Sequence, residues 1–86
     1  MAGLASPESL RRFWFELPEG RGIGVTAASE HEARAMAEPV RTRFWPDATI
    51  TRVITDIDIS TLDDDHVVSN MGPVVFRGVW YPRLNI

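Results

Sequence analysis

From Arg12 onward the apolar residues alternate, with Phe13, Phe15 and Leu17 on one face of an extended segment and Arg12, Trp14 and Glu16 on the other. A period of two is that of a β-strand, and the second face here is aromatic rather than wholly polar. Pro18-Glu19-Gly20-Arg21-Gly22 follows. Proline fits an early turn position through its fixed φ, and glycine supplies φ > 0, so a hairpin is predicted. Ile23, Val25 and Ala27 then alternate with Gly24 and Thr26, giving a second strand antiparallel to the first.

The spacing lengthens after Ala28. Ala33, Met36, Ala37, Val40 and Phe44 recur at helical intervals and predict an apolar stripe facing the sheet. Ser29-Glu30-His31-Glu32 is a capping box: the Ser29 hydroxyl accepts from the amide of Glu32, and the Glu32 side chain reaches back to the Ser29 amide. Pro39 interrupts the stripe, lacking an amide and pressing on the carbonyl of Ala35. The regular helix is therefore expected over 30–38, with a kinked extension to Trp45, and Pro46-Asp47 closes the segment.

Thr49 to Ile59 is β-branched, but its period slips: Ile50 and Ile54 share one parity, Val53, Ile57 and Ile59 the other. A bulge or a change of burial partner near Arg52 to Ile54 is the expected cause. Ser60 to Pro73 reads as a long connection. Val74 to Tyr81 reads as the last strand, with Val74, Phe76 and Trp80 on one face and Val75, Arg77, Val79 and Tyr81 on the other. The order β-β-α-β-β predicts an α+β domain: a mostly antiparallel four-stranded sheet with one main helix on one face. Residues 1–10, small and aperiodic around Pro7, read as a flexible arm preceding a single domain over 11–86.

Composition narrows the function classes. At 86 residues there is room for one core and no separate catalytic module, and three Trp with four Phe argue against disorder. The absence of cysteine excludes disulfides and thiolate metal sites, and a cytoplasmic location is the default expectation. The N-terminus lacks a signal-peptide pattern, and no apolar run approaches the roughly 20 residues of a membrane helix. Twelve acids face nine bases, all of them arginine and all dispersed, for a net charge of −3. Nucleic acid is therefore a poor partner, and neither secretion nor a membrane partner is expected.

Candidate chemistry concentrates in the C-terminal third. Asp56, Asp58 and Ser60 occupy positions 1, 3 and 5 of a calcium loop, but position 6 is Thr61 instead of glycine and position 12 is Val67 instead of glutamate. Asp63-Asp64-Asp65-His66 lacks a paired histidine, since His31 belongs to the helix. No metal and no cofactor is expected. His66 is the one general base beside acids, yet there is neither a cysteine nor a nucleophile elbow. Gly20, Gly22 and Gly24 precede a strand instead of a helix, so turn geometry and a close backbone contact explain them better than phosphate binding.

Trp14, Trp45, Trp80 and Tyr81, with Arg77 and Arg83, carry the composition of an interface; Trp80 and Phe76 read as core, whereas Trp14 and Tyr81, on the sheet face away from the helix, are expected to need a partner to cover them. The run from Trp14 through Gly22-Ile23-Gly24-Val25-Thr26-Ala27 to Asn70-Met71-Gly72 and Arg77-Gly78-Val79-Trp80-Tyr81-Pro82 resembles a set of small bacterial proteins. The resemblance implies a bacterial origin and a self-contained domain, and carries no activity. The expected function is non-enzymatic: a small accessory protein, of the immunity or antitoxin kind, that binds a protein partner or its own copy as a homodimer. The candidate binding residues are Trp14, Asp56, Asp58, His66, Asn70, Arg77 and Tyr81. The alternative is a small enzyme or ligand binder in which Asp56, Asp58, His66, Asn70 and Arg77 converge on a pocket.

Overall fold

The central hairpin forms where alternation is cleanest. Strand β1, Arg11–Glu16, pairs antiparallel with β2, Gly22–Ala27, setting Phe13 opposite Val25 and Phe15 opposite Ile23. The computed structural model describes residues 10–62, 67 and 71–82. Between the two strands Pro18–Gly20 makes a single 3₁₀ turn in which Glu19 and Gly20 both take positive φ, 66° and 76°. Strand β3, Arg52–Thr55, adds to the outer side of β1, and β4, Gly78–Tyr81, to the outer side of β2. The sheet is therefore antiparallel throughout, in the order β3-β1-β2-β4, and the chain is an α+β domain.

Helix α1, Glu30–Phe44, crosses one face, packing chiefly on β2. Its start follows the predicted cap with one difference. Ser29 Oγ accepts from Glu32 N at 3.1 Å, but the Glu32 carboxylate accepts from the Ala28 amide, at 2.7 Å, and not from that of Ser29. The helix does not stop or restart at Pro39; it runs unbroken to Phe44. Pro39 and Ala35 both lie on its exposed side, where water can reach the carbonyl that the missing amide leaves free. Ala33, Ala37 and Val40 are buried against Phe13, Phe15, Ile23 and Val25, with Met36 packed beside them. Phe44, expected in the same stripe, is the last helical residue and is 43% exposed.

The period slip in the β-branched stretch reflects a change of burial partner, with Val53 in the core under the helix and Ile54 in a second cluster, and it is set by the residues on either side of Arg52 to Ile54. Thr51 donates from its amide to Glu16 O at 2.8 Å, which lets Ile50 and Val53 share the helix side. Asp56 then takes φ 58°, and this left-handed residue turns Ile57 to the side of Ile54.

The last strand is shorter than the alternation implied. Val74 to Arg77 forms bends, and β4 starts only at Gly78, whose φ of 143° is a conformation that side-chain-bearing residues rarely adopt. β3 and β4 are opposite edges of the sheet, so the chain between them has to pass from one edge to the other. It brings Ile57, Ile59, Leu62, Val67, Met71 and Val74 over Trp14 and Trp80, forming a second core.

Candidate functional site

The aromatic face is built by a bulge. Gly24 pairs with Tyr81 and Val25 with Val79, so Trp80 is an extra residue in β4. Strict alternation would put Trp80 and Tyr81 on opposite faces; the bulge puts both beside Trp14, with ring centroids 5.9 Å and 5.5 Å away. The indoles lie over glycines. A β-carbon on Gly22 would collide with Trp14, and one on Gly24 with Trp80, which is why this face of β2 reads Gly-x-Gly.

The cover over this face is the chain's own. Trp14 is 6% exposed and Trp80 1%, so no partner is needed to remove them from water, contrary to the expectation from alternation. The described residues of the long connection that pack here, Ile57, Ile59, Leu62, Val67, Met71 and Val74, are all apolar. Tyr81 is half-buried at the margin of the cluster. Trp80 Nε1 is buried without a hydrogen-bond partner among the described residues.

The polar candidates are held by separate partners. Asp56 receives two hydrogen bonds from Arg11, at 2.6 and 3.1 Å, and these hold its carboxyl below the usual carboxylate range. Asp58 caps the short turn Ile59–Thr61, accepting from the Ser60 hydroxyl at 2.8 Å and its amide at 3.0 Å; the same bonds depress its pKa. Arg77 sets its Nε 3.3 Å from Glu32 at the start of the helix. His66, Asn70 and Arg83 lie outside the described residues. Among the described residues no group of three or more acids and histidines is arranged to hold a metal ion.

Two surface features emerge that alternation concealed. The first is the bend at Val75 and Phe76, whose side chains are 69% and 67% exposed. It is pinned on both sides: Thr26 Oγ1 donates to Val74 O at 2.6 Å, Gly72 N to Trp80 O at 2.7 Å, and Arg77 pairs with Glu32. Alternation groups Phe76 with the buried Trp80, but β4 starts only at Gly78 and Phe76 stands in solvent. The one sequence signal against a strand through Phe76 is Gly78, two residues on.

The second feature is a cleft of about 380 Å³ between the β1–β2 turn and the end of α1. Pro18, Phe44, Trp45 and Pro46 give it ring walls, and Glu19, Arg21 and Asp47 its charges. Arg21 pairs with Glu19 and sits 5.9 Å from the Trp45 ring centroid. Arg41 fixes the floor, donating to Ala48 O at 2.6 Å while held by Glu38 at 2.8 Å. None of these residues carried a motif; only the fold brings residues 18–21 to residues 44–48.

Compared with protein-family models, curated proteins and solved structures, the chain matches none.

Proposed function

We propose that this protein is a non-catalytic binding module whose partner is another protein, engaged through the Val75–Phe76 bend. One observation carries the reading: two adjacent large apolar side chains stand in water on backbone anchored at both sides. Exposed apolar residues are common singly, but a neighbouring pair held in one conformation loses little entropy on docking. Phenylalanine in such a position is a natural anchor for a partner's pocket, and Arg77 beside it supplies orientation.

The edges of the sheet favour this bend over strand addition. β3 is four residues long and flanked by the ion pairs Arg52–Glu16 and Arg11–Asp56, while the Trp80 carbonyl of β4 is already taken by Gly72. Short, charged or capped edges resist pairing with another chain.

The test is a photoreactive phenylalanine analogue at position 76, irradiated in living cells, with the same group at Ala35 on the outer face of α1 as reference. The reading predicts one discrete protein adduct from position 76, abolished by Val75→Ser, and none from position 35. Indistinguishable adduct patterns from the two positions would refute it.

A further inference from the structure

We infer that the partner of the Val75–Phe76 bend is a second copy of this chain, which receives Phe76 in the cleft walled by Pro18, Phe44, Trp45 and Pro46. The inference rests on the binding role given to the bend and names what it binds. The two surfaces are complementary in kind. One presents an exposed phenylalanine followed by an arginine; the other is a ring-lined cleft, about 380 Å³, bordered by a carboxylate.

Charge decides the occupant. Within the cleft Arg21 and Glu19 neutralise each other, which leaves Asp47, exposed and in no ion pair among the described residues. Arg77 meets Glu32 with its Nε 3.3 Å from the carboxylate, and its side chain is 53% exposed, so the guanidinium fork can also face a second carboxylate. With Phe76 seated on the Phe44 and Trp45 rings, the adjacent Arg77 is one residue from the rim where Asp47 stands. Apolar body and charge thus match together.

The topology limits how copies would join. The bend lies where β2 ends and α1 begins, since Gly78 pairs with Thr26 and Arg77 with Glu32. The cleft lies at the other end of α1, beside the turn that starts β2. Fifteen helical residues separate them, roughly 20 Å at 1.5 Å per residue. A knob at one end and a socket at the other let two antiparallel copies exchange both contacts about a two-fold axis, or let copies join head to tail into rings or open arrays. The interface is small, so the association is weak and concentration-dependent.

Sedimentation of the purified chain over a concentration series tests this. The wild type is expected to reach dimer mass or beyond as concentration rises, while Phe76→Ser and Phe44→Ser, both at exposed positions, are each expected to stay monomeric alone. Mixed in equal amounts, the two variants retain one intact socket and one intact knob, so they form a pair and stop there. Arg77→Glu is expected to weaken assembly at least tenfold and Asp47→Arg added to the same chain to restore it, with circular dichroism confirming that each variant is folded. A wild type that stays monomeric, a Phe44→Ser protein that assembles normally, or a mixture that forms no pair would each overturn the inference. If the wild type is monomeric while position 76 still yields its single adduct in cells, only the choice of partner fails. If neither is seen, the binding role fails with it.

Discussion

The ring of Trp80 occupies the space that a β-carbon on Gly24 would need. Gly24 belongs to a central strand, where glycine ordinarily weakens pairing, so its presence reflects the indole above it. Gly24→Ala is therefore expected to destabilise the domain by about 1–3 kcal/mol, the usual range for overpacking a filled core. Gly20→Ala is the comparison: its space is open, but its φ of 76° disfavours a side chain, for about 1 kcal/mol. Urea midpoints measure both. Adding Trp80→Phe should relieve the first substitution and leave the second unchanged; equal effects on both would contradict the packing described.

The relation between sequence and structure divides along the same line. Where one residue type dictated one geometry, the sequence was legible: the Ser29 cap, the β1–β2 hairpin and the helix stripe from Ala33 to Val40 all formed where expected. What alternation misplaced depended on single residues that leave the regular period. Asp56 at positive φ turned Ile57 to the far face, Trp80 in its bulge brought Tyr81 to its own side, and Gly78 cut the last strand short. The cleft was invisible for a different reason, because its walls come from segments more than twenty residues apart whose meeting is set by the length of α1.

The acids of the C-terminal third predict how stability responds to pH. The Asp56 pKa is lowered by hydrogen bonds from Arg11, and that of Asp58 by those from Ser60. A carboxyl with a folded pKa below its unfolded value stabilises the fold above the unfolded pKa, roughly 3.9 for aspartate, and loses that contribution as pH falls through the folded value. Both groups are solvent-exposed, so each effect is small. Urea midpoints recorded from about pH 6 to pH 2 should fall more steeply below about pH 4 in the wild type than in Asp56→Asn or Asp58→Asn. Asparagine keeps most of the hydrogen-bonding capacity at position 58 and removes the titration. Curves for the wild type and both variants that run parallel throughout would show that neither acid couples to folding.

Pro39 offers a test of the helix itself. It sits inside an unbroken helix, where proline ordinarily costs about 3 kcal/mol through its missing amide and its clash with the carbonyl four residues earlier. On the exposed side, water compensates part of the lost hydrogen bond, and the ring also restricts the unfolded chain, which is worth up to about 1 kcal/mol to the folded state. Pro39→Ala should therefore stabilise the domain by about 1–2 kcal/mol, the interior cost less those two offsets. The far-ultraviolet circular dichroism should change little, because residues 40–44 are already helical and the substitution adds one hydrogen bond without extending the element. A marked gain in helical signal would mean that the native helix ends at Glu38. Phe44 and Trp45 would then lose the platform that holds them against Pro18, and with it the cleft.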